Sequence, residues 1–181
     1  MNETNKEIWV KKGYELFAIN GLNGIKIEPL ARLVGKNKSS FYHYFADQEC
    51  FVEELLNHHL KQSEIVAQKE KLAQSIHPEL IQILIEHQTD ILFNKQLRFN
   101  RDQKHFKSTL AKSNEIIGKD FVLLWLKELQ LNISLQQIES LFELALENFF
   151  LQITPENFNE SWLNQYFDYL KNIIRKFVQA G

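Results

Sequence analysis

Apolar residues recur along this chain at helical spacing. Trp9, Gly13, Leu16 and Phe17 stand at i, i+4, i+7 and i+8, which predicts a first helix over residues 3–20, closed by Gly21. The small Gly13 leaves room for another helix to approach. Phe51, Val52, Leu55 and Leu56 form the inner face of a helix capped by Asp47, and beyond Leu60 the same helix turns polar through residues 61–74. It breaks near Ser75-Ile-His-Pro78, so its polar half reads as a linker between an N-terminal head and a C-terminal body. The pattern then predicts helices over 79–94, 114–131, 134–153 and 159–179, with a less regular stretch over 95–112. Ser134 and Gln137 have capping-box spacing, and Thr154-Pro155 with Asn157 marks the last turn.

The last two helices carry more apolar surface than one neighbour can cover. Ile138, Leu141, Phe142, Ala145 and Phe149 make one stripe, widened by Leu144, Leu146, Phe150, Leu151 and Ile153. Trp162, Tyr166, Leu170, Ile173 and Phe177 make another, beside Leu163, Phe167, Ile174 and Val178. Helices apolar over so much of their circumference are covered on more than one side. A second copy of the chain is the expected cover, with Leu146, Phe150, Ile153, Trp162, Tyr166 and Ile174 as candidate interface residues. An intrachain core is the alternative.

The segment from Ile27 to Phe45 is organised differently. Ala31 and Gly35 stand four apart, as suits two short helices crossing tightly with a glycine in the turn. Ile27, Leu30, Val34 and Phe41 supply one apolar face across both helices. Pro29 falls in the first turn of the first helix, where its missing N–H costs nothing, and Glu28 beside it suits the positive end of the helix dipole. Asn37 fits as N-cap of the second helix, leaving Lys38, Ser39, Ser40, Tyr42 and His43 facing outward. A tight corner in an all-α core would need the same Ala and Gly but not the run that follows, Ser39-Ser-Phe-Tyr-His-Tyr-Phe45, with Ala46-Asp-Gln-Glu49 opening a new helix.

That run resembles the DNA-binding end of the tetracycline-repressor (TetR) family. The family's pattern is a glycine-closed first helix, an Ile-Ala helix, a Gly turn, then Leu/Phe-Tyr-x-x-Phe, and the resemblance covers roughly the first third of the chain. It implies an all-α fold, with a helix-turn-helix DNA-binding domain over 1–46 and a linker helix plus ligand-binding and dimerisation domain over 47–181. The function implied is a ligand-responsive regulator, most simply a repressor, that binds a pseudo-palindromic operator in double-stranded DNA as a homodimer. Ser39, Ser40 and His43 are then the candidates to read base edges. Tyr42 and Tyr44 would donate to phosphates, Asn37 would start the reading helix, and Lys26, Lys36 and Lys38 would supply charge. Two positions depart from the pattern: Lys36 stands where an apolar residue is usual, and Gln48 where a basic one is frequent. They motivate an alternative, a helical scaffold protein of the same fold without operator recognition.

Composition narrows the picture further. The 181 residues carry a formal charge of −2, so any DNA contact must come from a local patch rather than from the whole molecule. A single cysteine excludes an intrachain disulfide and fits a reducing compartment. The N-terminus lacks a signal-peptide layout, and the apolar run Phe121–Leu126 is too short to span a bilayer, so a cytoplasmic protein without membrane association is expected. Cys50 is expected as a small buried residue against the head, with a redox sensor as the alternative.

Candidate effector contacts are polar and aromatic residues set in apolar helices. They are His87, Gln88, Phe99, Phe106, Phe121, Trp125, Phe142, Asn148 and Phe149, for a hydrophobic or amphipathic small molecule. The cations Lys95, Arg98, Arg101, Lys104 and Lys107 recur every third residue and so spiral by about 60° per step around a helix instead of forming one face; they read as a solvated, partly irregular helix, with the alternative that some of them, beside Phe99, His105 and Phe106, line a pocket for an anionic or amphipathic ligand. His58 and His59 are adjacent and point apart, so no metal site and no cofactor is expected. Nucleophile elbows, phosphate loops and dinucleotide fingerprints are absent from the sequence, and no enzymatic activity is expected.

Overall fold

The computed structural model describes residues 4–129 and 135–179, and these are built from helices and turns. α1 (Asn5–Asn20) starts in a reciprocal cap. Thr4 accepts from the Glu7 N–H at 3.3 Å while the Glu7 carboxylate accepts from the Thr4 N–H at 2.6 Å. Gly21 ends α1 at φ 58°, donating back to the Phe17 carbonyl, as the sequence predicts. α2 (Ile27–Leu33), α3 (Lys38–Tyr44) and α4 (Gln48–Leu72) follow. The Asp47 carboxylate caps α4 by accepting from the Cys50 N–H at 2.8 Å. After a kinked turn over Ile76–Leu80 come α5 (Ile81–Glu86), α6 (Gln88–Phe99), α7 (Lys104–Leu129), α8 (Leu135–Gln152) and α9 (Glu160–Gln179). Ser134, and with it the expected capping box, lies outside the described residues.

Two expectations about the body are corrected. The single helix over 79–94 is broken at His87, whose φ of −101° and ψ of 26° leave the helical region. The stretch over 95–112 is irregular only at the turn of residues 100–103. α6 continues to Phe99, where the Asn100 side chain takes up the Gln96 carbonyl at 2.8 Å, and α7 begins at Lys104.

Packing divides the chain into two compact units. One holds the residues through Ser63 together with Thr89–Ser113; the other holds Glu64–Gln88 and the residues from Asn114 onward. The division therefore differs from a cut at residue 46, because α6 and the start of α7 pack into the first unit. Their contribution is visible in its core, where Phe93 stacks on Tyr14 at 4.3 Å and lies 4.5 Å from Phe17, and Phe106 stacks on Phe17 at 5.7 Å. Gly13 is required by close approach: a Cβ there would fall onto the Phe51 ring.

A buried polar network runs through the same unit. The Tyr14 hydroxyl donates to Asp90 at 2.8 Å and lies 2.8 Å from His59 Nδ1. Ser113 Oγ sits 3.2 Å from His59 Nε2 and 2.9 Å from Ser63 Oγ, and accepts from the Asn94 amide at 3.1 Å. Burial pushes His59 down to about 3, with neighbouring His58 adding to the effect, so the ring is neutral at physiological pH. Burial first, and then the charge of Asp90, push the Tyr14 hydroxyl well above its ordinary value.

The second unit has an aromatic interior. Trp125 is fully buried, with Phe142 and Phe167 each 5.7 Å away. Phe149 lies 5.3 Å from Tyr166 and 6.0 Å from Trp162. The Trp125 indole N–H has no acceptor among the described residues. At the kinked turn, Glu128 accepts from Lys171 at 2.8 Å and from the Ile76 N–H at 3.2 Å, while His77 Nδ1 meets Asn164 Oδ1 at 2.6 Å. Among the described residues no helix is long and apolar enough to cross a membrane.

Candidate nucleic-acid interface

The α2–α3 segment is specified almost residue by residue. Gly35, at φ 66°, donates to the Arg32 carbonyl at 3.1 Å, and Lys36 donates to the Ala31 carbonyl at 2.9 Å. This is the two-bond Schellman arrangement, which needs a left-handed residue at the position Gly35 occupies. Nothing lies within 4 Å of where a Gly35 Cβ would stand, so the requirement is conformational and not steric. The apolar contact that usually accompanies the motif is lacking, because the residue after the glycine is the exposed Lys36. Asn37 then starts α3 as expected, its side chain accepting from the Ser40 N–H at 2.8 Å.

Below this turn the helices are clamped by rings. Phe41 is fully buried, edge-on to Trp9 at 5.4 Å and to Phe51 at 5.2 Å, and 5.0 Å from Phe45. Leu30 and Ala31 are buried, while Ile27 and Val34 are half-buried. With Phe41 fixed inward, the rest of α3 is oriented. Lys38, Ser39, Tyr42 and His43 are exposed; Ser40 and Tyr44 are half-buried. Tyr42 stands edge-on to Phe41 at 5.5 Å, and His43 edge-on to Tyr44 at 4.9 Å. The result is a row of exposed hydroxyls, one imidazole and flanking cations, carried on a buried aromatic base.

Each expected interface residue can be located on this surface. Lys26 precedes α2 and is exposed, as is Lys36 in the turn. Asn37 is exposed, but its carbonyl oxygen is committed to the cap. Lys38 is also partly engaged, its Nζ lying 3.5 Å from the Glu28 carboxylate. Arg32 was not expected: it is exposed near the end of α2 and pairs with no carboxylate among the described residues. Its signal was present in the sequence, as a cation on the polar side of α2. Cys50 is corrected, for it is exposed beside the cap instead of buried. The hydrogen bond with Asp47, more than its slight burial, pushes its thiol up, away from thiolate chemistry.

The expected effector set is only partly brought together. Trp125, Phe142 and Phe149 share the aromatic interior of the second unit, and Gln88 there donates to the Pro155 carbonyl at 3.2 Å. His87 is buried at the kink, whereas Asn148 is exposed and accepts from Tyr166 at 3.3 Å. Phe106 and Phe99 belong instead to the first unit, Phe106 buried in its core and Phe99 exposed beneath the Lys95 ammonium. The Phe121 side chain lies outside the described residues. Of the expected interface residues in and just after α8 and in α9, Phe150, Ile153, Tyr166 and Ile174 are buried within the chain itself, which leaves them little surface to offer a copy; Leu146 and Trp162 are half-buried. Among the described residues, the large apolar side chains these helices expose are Leu144, Leu151, Tyr169 and Ile173.

No protein-family model matches the sequence, and no curated protein matches it. Among solved structures, the chain is similar in fold to a crystal structure from Rhodococcus sp. assigned to the TetR family of transcriptional regulators. The TM-score is 0.59 at 15% identity, over 96% of this chain and 97% of that one.

Proposed function

We propose that this chain is a transcriptional regulator that binds operator DNA through α2 and α3. The observation that carries the reading is the Schellman-turned helix pair whose Phe41 is anchored inward while Lys38, Ser39, Tyr42 and His43 project to solvent. Likeness of fold to a TetR-family structure supports it. In this reading Ser39, Ser40 and His43 meet base edges in a major groove, Tyr42 and Tyr44 donate to phosphates, and Lys26, Arg32, Lys36 and Lys38 supply the local positive charge that a net charge of −2 withholds. The functional boundary falls near residue 46, although the compact unit is larger.

The regulator acts as a homodimer and most simply as a repressor, cytoplasmic and without enzymatic activity of its own. Leu144 and Leu151 lie on one face of α8, Tyr169 and Ile173 on one face of α9, and their exposure supports a second copy as the cover. A hydrophobic or amphipathic effector would enter the aromatic interior around Trp125, Phe142 and Phe149, whose indole N–H at Trp125 is available to an acceptor on the ligand.

Titrating the purified protein onto random-sequence duplex at low salt, followed by selection of preferred sites, tests the reading. Salt-sensitive binding to random duplex and enrichment of a two-fold-related site are expected. Absence of binding to any duplex at low salt would leave a scaffold protein of the same fold.

A further inference from the structure

Glu28 is the one acidic residue between Lys26 and Phe45, a stretch that also holds Lys26, Arg32, Lys36 and Lys38. Its carboxylate does not point to bulk water alone: Oε1 lies 3.5 Å from Nζ of Lys38, the first residue of α3, with 64% of the Glu28 side chain and 52% of the Lys38 side chain exposed. The pair thus bridges the two helices on the surface that the proposed function assigns to DNA. The fold gains little from it. The helices are already joined by the Gly35 turn and by Leu30, Ala31 and Phe41, and exposed ion pairs add little to stability. An acid in the first turn of α2 also favours the helix dipole, but that role would be served without reaching a lysine on another helix.

We infer that Glu28 is an internal counter-charge that competes with DNA phosphate for Lys38, holding down the sequence-independent part of operator affinity. The inference rests on the DNA-binding reading. When Lys38 meets a phosphate, the phosphate arrives beside a carboxylate that cannot leave, so the exchange replaces one anionic partner by another and adds a like-charge contact. Lys38 therefore counts for less than one full neutralised phosphate. Lys26, Lys36 and Arg32, which pair with no carboxylate among the described residues, count in full. Base reading by Ser39, Ser40 and His43 is untouched, because Glu28 bears on the backbone contact.

The test uses the full chain and three variants, Glu28→Gln, Lys38→Met and the double variant, with binding to random and selected duplexes followed by fluorescence anisotropy from about 50 to 200 mM salt. Glu28→Gln should bind both duplexes about three- to tenfold more tightly at the low-salt end and steepen the log–log salt dependence by up to about 0.9. The ratio between the two duplexes should not change. In the Lys38→Met background the Glu28 substitution should gain less than in the parent, which separates competition for Lys38 from a general change in head charge. Unchanged affinity and slope in Glu28→Gln, or an equal gain with Lys38 absent, would overturn the inference while the parent's DNA binding stood. A parent that binds no duplex would instead remove the DNA-binding reading, and this inference with it. Unchanged circular dichroism melts in the variants are expected, since both side chains are exposed.

Discussion

The α2–α3 segment and the α8–α9 pair both expose functional candidates, but they are specified by different physics. In α2–α3 the backbone itself makes demands: a left-handed residue at Gly35, a side-chain acceptor at Asn37, a ring at Phe41 to hold α3 against Trp9 and Phe51. Those demands are local, and each selects a residue type. In α8 and α9 the apolar positions outnumber what one helix face can hold, and the division between inside and outside is decided by distant elements such as Trp125 on α7 and the turn at Ile76. Nothing in the spacing of Phe150 and Leu151 says that the first is buried and the second 67% exposed. A surface written in backbone requirements can be read from sequence, whereas one written in packing cannot.

The largest effect should come from breaking the second surface. Leu151→Glu combined with Ile173→Glu places charge on the exposed apolar face without entering the core, so folding stability should change by less than about 0.5 kcal/mol per site. Sedimentation should show a monomer where the parent is a dimer, and operator affinity should fall by on the order of a hundredfold or more as the two heads lose their linkage. Phe150→Glu with Ile174→Glu would instead unfold the body, because both side chains are buried. A parent that sediments as a monomer would sink the dimer.

Breaking the base of the first surface should come next. Phe41→Ala removes a ring that touches Trp9, Phe45 and Phe51, at a cost of about 3–5 kcal/mol measured by urea denaturation. DNA binding should be lost with it, since α3 then has nothing to fix its orientation.

Much of the head was legible for this reason. Gly21, the Gly35 turn, the Asn37 and Asp47 caps and the close approach at Gly13 all follow from single residues whose conformational or steric needs are visible in the sequence. The errors fall where tertiary packing decides. Cys50 occupies the first turn of α4 at a spacing that suits burial, yet Phe51 takes the inward position and leaves it exposed. The packing of Thr89–Ser113 into the first unit rests on Phe93 and Phe106 finding Tyr14 and Phe17, partners more than seventy residues away in sequence. The network around His59 was equally hidden, because its serines and asparagine look like ordinary helix surface until four helices meet around them.

That network predicts a pH dependence centred on the first unit. With His59 held near 3 in the folded chain and at about 6.5 unfolded, the unfolded chain binds the extra proton between those values. Stability from this group is therefore fully present above about pH 6.5 and falls as the pH drops, by up to about 1.4 kcal/mol per unit, until the folded value is reached. Urea melts between pH 7 and 5 should show that slope, and His59→Gln should flatten it at the expense of lower stability at pH 7. A parent whose stability is level over this range would mean that the ring is not held neutral. A smaller effect is expected at the turn. Gly35→Ala meets no neighbouring atom but must adopt φ 66°, costing about 1–2 kcal/mol through conformation alone.

The smallest expected change isolates the hydroxyl at the edge of the row. Tyr42 is 48% exposed, and its ring already packs edge-on against Phe41, a contact that phenylalanine would keep. Tyr42→Phe should therefore leave the melting curve of the head in place while removing one donor to phosphate. One neutral hydrogen bond is worth about 0.5–1.5 kcal/mol, so affinity should fall a few-fold, equally on operator and random duplex. His43→Ala makes the contrasting case: a residue reading a base edge should cost about 1–3 kcal/mol on the operator and alter preference at one position, with random duplex nearly unaffected. If Tyr42→Phe changed base preference, or His43→Ala weakened both duplexes alike, the two residues would have exchanged roles and α3 would enter the groove rotated from the orientation that Phe41 sets. If neither changed anything, the row would not face DNA, and the contrast between a surface that sequence specifies for reading and one that packing leaves for assembly would fail at its first term.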